Sequence, residues 1–433
     1  MTSYWCERAV VDGQILDSVR IDEEDGVITS VQAGDHEADA TVLPGLVLPG
    51  FANGHSHLFH RALRGRTHGV GGTFWTWREE MYRAAAALDP DSYRELATAV
   101  FAEMVLAGYT VVGEFHYLHH QPDGSPYATP TAMEDAVVEA ASVAGIRLTL
   151  LDTLYLAGGT GKALLPEQLR FSDGSIKAWV ARRDAVVFGP LARSGAAIHS
   201  VRAVPAALLR EAAKLSRDRP LHAHVSEQVA ENEEVIAAHG GTPTELLAAS
   251  DVLGQNFTAV HGTHLTEHDI QLLADSHSTI CFCPTTERDL ADGIGPAINL
   301  RNAGATLSLG SDQNAVIDPF EELRGLEMDE RLDSGQRGRF TPMELLEVAT
   351  SAGYASLGWD GGRIQAGAVC DLVAVSLSTP RTAGARPEQA WLAATASDIT
   401  DVIVGGEVRV RDGDHLLGDV GALLIAAIER LDQ

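Results

Sequence analysis

The chain has 433 residues, with 32 basic and 60 acidic side chains and a net charge of −28. A surface that acidic excludes nucleic acid and anionic membrane as partners, and it repels an anionic ligand at long range unless arginines gather locally. Hydrophobic residues at 45% and 42 glycines suit a large α/β fold, and the length suits a catalytic domain with a smaller companion.

The opening MTSYWCERAV lacks a basic stretch followed by an apolar one, so no secretory signal is expected. No apolar run approaches the roughly 20 residues of a membrane span. Four cysteines (Cys6, Cys281, Cys283, Cys370) form no CxxC pair and read as reduced, buried thiols of a cytoplasmic protein.

Alternating apolar residues and DG-type turns make the first 45 residues a set of short strands. The same texture returns in AGAVCDLVAVSL and ITDVIVGGEVRVRDGD near the end. The reading is a small β-sandwich built from both chain ends, residues 1–47 and 360–433, around a domain spanning 48–359.

Within that middle segment, short apolar runs ending in polar residues recur eight times: LVLPGFANGHSH, TVVGEFHY, RLTLLDTLY, AAIHSVR, PLHAHVSE, FTAVHGTH, STICFCPTTE and TLSLGSD. Helical stretches lie between them. In LDPDSYRELATAVFAEMVLAGY, Asp89 is the N-cap, Pro90 the first helical residue and Gly108 the stop, with Leu96, Val100 and Met104 on one apolar stripe. Eight βα units predict a (β/α)8 barrel, whose chemistry collects at the C-terminal ends of the strands.

Those ends carry metal-compatible side chains. His55 and His57 follow the first strand at spacing two, so both face one side. His222, His224 and Glu227 end the fifth run, His261 and His264 the sixth, and Asp312 the eighth. One such residue means little; four strand ends converging on one barrel mouth point to a metal site.

HxH, HxxE, His and SD after strands one, five, six and eight resemble the amidohydrolase superfamily. Within it, SHLFHRALRG, GTFWTWREEMYRAA, AGYTVVGEFHYLHH and HSVRAV resemble the formimidoylglutamate deiminases. The resemblance implies His55, His57, His224 and Asp312 as ligands of one divalent metal ion, with His222 deeper in the barrel. The fourth run offers no lysine to bridge two metals, and nitrogen and oxygen ligation suits Zn2+, with iron and manganese as alternatives. Asp312, His261 and Glu227 become the catalytic groups: Asp312 takes the first proton, His261 polarises the attacking oxygen and Glu227 carries protons to the imine nitrogen and the departing amine.

The implied reaction is hydrolytic deimination of N-formimino-L-glutamate to N-formyl-L-glutamate and ammonia, a step of histidine degradation, by attack of metal-activated hydroxide on the formimino carbon. Arg78, Arg202, Tyr117, His199 and His60 are the candidate substrate contacts, the arginines pairing with a small dianionic amidine. His60 stands where the family usually has glutamine, three residues past His57, and its side chain is expected to leave the metal's side of the strand. The resemblance also implies a homodimer. Competing readings are a superfamily deaminase of a nucleobase or triazine ring, which calls for an aromatic, uncharged pocket, and a metal-binding protein without catalysis. The segment GGTGKA (158 to 163) lacks the leading glycine and the Ser/Thr of a phosphate loop and reads as a flexible loop, with a lid as one possible role. ENEEVIAAHG reads as a solvated helix face, His119 and His120 as loop residues, and His68 and His239 as ordinary histidines.

Overall fold

The computed structural model describes residues 2–34, 39–67 and 74–432; His68 lies outside them. One eight-stranded sheet is parallel throughout and runs in chain order: Phe51–Ser56, Tyr109–His116, Arg147–Leu154, Ala192–Ile198, Leu221–Val225, Phe257–His261, Thr279–Phe282 and Thr306–Leu309. These are the eight apolar runs of the sequence. Helices follow the strands and cover the outside, so strands such as Tyr109–His116 and Arg147–Leu154 are buried at every position and read as continuous apolar runs. The architecture is the expected (β/α)8 barrel.

Local chemistry sets the helix ends. Asp89 accepts a hydrogen bond from the backbone of Ser92 while the Ser92 hydroxyl accepts one from the Asp89 backbone, starting Pro90–Leu106. Leu96, Val100, Phe101, Met104 and Val105 of that helix are all buried.

The barrel closes between its last and first strands. Ser56 bridges Asp312 in parallel. His57 N donates to Asp312 O at 2.9 Å, and Ser311 N and Asp312 N both donate to His55 O, at 3.1 and 2.9 Å. The approach leaves no room for a side chain at Gly310, where a Cβ would stand 2.7 Å from the His55 carbonyl oxygen and 2.8 Å from its nitrogen.

The second sheet interleaves the chain ends. Its order is Asp414–His415, Glu407–Arg411, Ile399–Val404, Leu372–Val375, Thr41–Pro49, Thr2–Val11, Gln14–Glu24 and Val27–Ala33. Thr41–Pro49 pairs in parallel with Thr2–Val11 on one side and antiparallel with Leu372–Val375 on the other. Tyr4, Val19, Ile28, Leu43, Leu372 and Ile403 share one apolar core. Arg147, at the start of the third barrel strand, fastens the two units through a bidentate pair with Asp371 (2.7 and 3.1 Å), to which the Tyr354 hydroxyl also donates at 2.6 Å.

All four cysteines are free and buried. Among the described residues, no helix is long and apolar enough to cross a membrane.

Gly310→Ala should overpack the closure and lower stability by about 1–3 kcal/mol, read as a fall in the denaturation midpoint, although the backbone there suits any residue.

Candidate active site and metal centre

At the closure, donor atoms of His55, His224, His261 and Asp312 lie within 4.8 Å of one another, and His57 Nε2 stands beside them. His55 Nε2 and His57 Nε2 lie 3.2 and 3.3 Å from Asp312 Oδ1. His224 Nε2 lies 3.2 Å from His55 Nε2 and 3.3 Å from His57 Nε2. Nδ1 of His57 faces the Phe115 carbonyl oxygen at 3.0 Å, and Nδ1 of His224 faces the His199 carbonyl oxygen at 2.8 Å. A carbonyl accepts only, so both rings carry their proton on Nδ1 and present Nε2 as a lone pair. Burial presses His55 down to about 3 and His57 well below the usual imidazole range, so the rings are neutral.

Lone pairs facing each other at such distances repel. A cation between them reverses the sign of the interaction. Bonds of about 2.0–2.1 Å to four tetrahedral donors put those donors roughly 3.3–3.4 Å apart. The observed separations match, and the donor set fits a divalent cation. Beneath it, Asn314 Nδ2 donates to the His57 carbonyl (3.0 Å) and Ser56 Oγ (3.1 Å), and Asn53 clasps Ser311 through two hydrogen bonds (2.7 and 3.0 Å). His222 lies deeper, its Nε2 3.2 Å from the Ser356 carbonyl oxygen, and His264 meets the Asp292 carbonyl instead of the cluster.

His261 belongs to the same group. Its Nε2 is 3.9 Å from Asp312 Oδ2, longer than the other separations, and its Nδ1 is 3.3 Å from Glu287 Oε1. Although burial opposes the charge, Glu227, Glu287 and Asp312 hold this imidazole well above its usual range. Glu227 lies on the turn after the fifth strand, where its backbone N–H donates to Glu231 at 3.1 Å.

A cavity of ≈ 490 Å³ opens from the cluster, lined by all the remaining predicted contacts: His60, Arg78, Tyr117, His199 and Arg202. Arg202 pairs with Glu231 at 3.3 Å and approaches Glu227 at 3.9 Å. Arg78, on the helix Phe74–Ala87, donates to the Tyr82 hydroxyl at 3.0 and 2.7 Å. His199 packs edge-on against Tyr155, 4.6 Å between ring centres. His60 sits in the 3₁₀ turn Leu58–Leu63, hydrogen-bonded to the Tyr117 hydroxyl at 3.0 Å. The side chain stays beside the cluster, its ring 4.7 Å from that of His57, where the sequence suggested it would turn away. The tight 3₁₀ turn curls the chain back over the strand end.

A family profile described as "Amidohydrolase family" matches residues 46–409. The chain belongs to the amidohydrolase family. It is 36% identical over 436 residues to a formimidoylglutamate deiminase of Pseudomonas aeruginosa, covering 96% of each chain. It is 31% identical to a 5-methylthioadenosine/S-adenosylhomocysteine deaminase of Halobacterium salinarum, covering 98% of this chain and 94% of the relative. Among solved structures, an amidohydrolase from Brucella melitensis matches over 100% of both chains, with a TM-score of 0.92 and 31% identity.

This amidohydrolase has cavity residues that sequence patterning did not single out. Glu231 and Glu234 lie on Val229–His239, the helix read as a solvated face; Glu231 is buried against Arg202, and Glu234 reaches Lys162 at 2.9 Å. Lys162 belongs to the GGTGKA loop, a tight reversal in which Gly158 N donates to Lys162 O (3.1 Å) and Lys162 N to Gly159 O (3.0 Å). Gln168, Tyr82 and Tyr155 also line the cavity.

A second histidine cluster lies apart from the metal centre. His116 and His119 both meet Glu134 Oε1, at 3.0 and 2.8 Å, and His120 meets Asp173 at 3.1 Å. Arg182 reaches Glu134, Asp152 and Asp173, at 2.7, 2.7 and 2.8 Å, while it is almost fully buried. The guanidinium already supplies the positive charge there, so this is a structural ion network. His119 and His120 lie in the loop after the second barrel strand, as read in the sequence, and that loop is a buried joint between the second and third barrel strands and the helix Ile176–Arg183. Despite burial, the arginine and the histidine hydrogen bonds hold Glu134 and Asp173 well below the usual carboxylate range. Removing the cation strands buried carboxylates, so Arg182→Met should cost about 3–5 kcal/mol at neutral pH. Depressed carboxylates stabilise above their unfolded pKa of about 4 and lose that contribution as pH falls through the folded value. The gap in melting midpoint between wild type and variant should be full at pH 7 and narrow below pH 4.

Proposed function

We propose that this amidohydrolase is a deiminase of N-formimino-L-glutamate, releasing N-formyl-L-glutamate and ammonia, with one Zn2+ held by His55, His57, His224 and Asp312. The observation that carries the reading is the pair of guanidinium groups, Arg78 and Arg202, in the same cavity as the metal donors. A linear amidine with two carboxylates matches that pair, and the 36% identical relative from Pseudomonas aeruginosa bears this activity in its name. A volume of ≈ 490 Å³ is ample for so small a ligand.

His55, His57, His224 and Asp312 would hold a divalent cation, which would supply Lewis acidity that lowers the pKa of water from 15.7 to about 7. The chain's own groups supply the rest. Arg78 and Arg202 orient the carboxylates and present the formimino carbon to the cluster. Asp312 accepts the first proton from the attacking water, and His261, beside its second oxygen, steadies the incoming oxygen. Glu227 delivers one proton to the imine nitrogen, takes up the hydroxyl proton of the adduct and passes it to the departing amine, and the proton held by Asp312 then restores Glu227. The C–O bond forms, the C–N bond to the terminal nitrogen breaks, and ammonia leaves. His60 and Tyr117, joined by their hydrogen bond, flank the formimino end, where the imidazole keeps the donor and acceptor character that a glutamine amide would offer.

Trp77, Tyr82, Tyr117 and Tyr155 give the cavity an aromatic side as well, which supports deamination of a purine-type ring as the second reading. The metal-loaded enzyme should release ammonia and N-formylglutamate from N-formimino-L-glutamate. Formamide with glutamate as products, or turnover of 5-methylthioadenosine in its place, would overturn the assignment. Glu227→Gln should reduce kcat by about 10²–10⁴-fold while zinc stays bound, because its carboxylate handles protons and is not a ligand. His224→Ala should abolish tight zinc binding in equilibrium dialysis, and retention of the ion would sink the ligand set.

A further inference from the structure

Between the helix Phe74–Ala87 and the 3₁₀ turn Pro166–Phe171, a short chain of hydrogen bonds has its direction fixed at every link. Gln168 is buried, and its Oε1 accepts from the backbone N–H of Leu165 at 2.8 Å. A backbone N–H only donates, so the orientation of the amide follows from chemistry alone. The other end of the amide, Nε2, lies 2.9 Å from the Tyr155 hydroxyl oxygen and 3.2 Å from that of Tyr82. An amide nitrogen has two protons and no acceptor, so it donates to both phenols. Tyr82 also receives both N–H groups of the Arg78 fork, from a side chain that never accepts.

Each phenol oxygen is therefore an acceptor in this chain, and its own proton is directed elsewhere. Among the described residues, neither hydroxyl has an acceptor within hydrogen-bonding distance. Both tyrosines line the cavity. Burial raises the Tyr155 phenol above its usual range, so its proton is retained at any working pH.

We propose that Gln168 is a positioning residue that turns Tyr82 and Tyr155 into hydroxyl donors for a carboxylate of the substrate, completing a wall of donors that begins with Arg78. This rests on the anionic substrate proposed above and names how the anion is held. Arg202 is already engaged by Glu231 and faces Glu227, so its charge is partly met within the protein. Two neutral donors add affinity for an anion without adding a positive charge beside the proton-carrying glutamate. A carboxylate offers about four lone-pair sites to such a wall, whereas a ring edge carrying an N–H would meet donor against donor.

The test uses glutarate, a dicarboxylate that cannot react, titrated calorimetrically into the zinc-loaded protein. Tyr82→Phe and Tyr155→Phe remove one proton each and preserve shape, and each should weaken glutarate about tenfold, as expected for a hydrogen bond to a charged group. Gln168→Met should weaken it comparably, since the hydroxyls then turn freely. Gln168→Glu should weaken it further, because a carboxylate there draws both hydroxyl protons to itself. In turnover, the rise in KM should exceed any change in kcat, while zinc content and melting midpoint of the Phe variants match wild type. Glutarate binding unchanged within about twofold in both Phe variants, or no glutarate binding by the wild type, overturns the proposal. Should glutarate binding depend on the tyrosines while N-formimino-L-glutamate is not turned over, the donor wall stands and the substrate reading falls. Turnover with indifferent Phe variants gives the reverse.

Discussion

The closure of the barrel at Ser56 and Asp312 is the constraint on which the site depends. Three members of the candidate metal cluster, His55, His57 and Asp312, lie in or just past the two strands that meet there, so the ring cannot open without dispersing the cluster. Only Gly310 admits the approach, and Asn53 and Asn314 lock it with side-chain hydrogen bonds. The backbone is strained at the same edge. Ser226, His261, Asp312 and Asn314 all carry positive φ, at 51°, 70°, 42° and 56°. Non-glycine residues hold this conformation at about 1–3 kcal/mol each, and only where the surroundings over-determine it. Here the strain turns side chains from separate strand ends toward one point.

Charge is handled in concentric fashion. The chain carries −28 overall, yet its cavity gathers Arg78, Arg202 and Lys162. Each of these cations is already in contact with a protein group: Tyr82, Glu231 and Glu234 respectively. The pairing preorganises the guanidinium planes and limits the desolvation penalty of holding them in a half-enclosed space. A ligand then competes with partners already present, which favours one that offers two carboxylates over one that offers none.

Much of this was legible in the sequence, for identifiable reasons. Strands buried on both faces appear as apolar runs, so all eight barrel strands could be read, and the period of two in His55 and His57 forecast their convergence. The cap at Asp89 with Pro90 fixed a helix start. What escaped was tertiary. Nothing in ENEEVIAAHG distinguishes Glu231, buried against Arg202, from its solvated neighbours. Gln168 has no local signature, because its role follows from a backbone N–H on one side and two distant tyrosines on the other. His119 and His120 are loop residues as read, but their burial against Glu134 and Asp173 could not be seen because those partners are distant in the chain. His60 was misjudged in direction since a 3₁₀ turn and an extended loop cannot be told apart from three residues.

The interleaved end sheet has a consequence for biosynthesis. Thr41–Pro49 needs Leu372–Val375 as its neighbour on one edge, more than three hundred residues later in the chain. The first four strands pair with one another, but the outer edge of Thr41–Pro49 leaves the ribosome long before its partner exists. That edge stays exposed while the barrel assembles, and the sheet extends across it only once Leu372–Val375 has been made. A chain that stopped before Leu372–Val375 would leave that edge uncovered, so this one short strand decides whether a nascent molecule stays solitary.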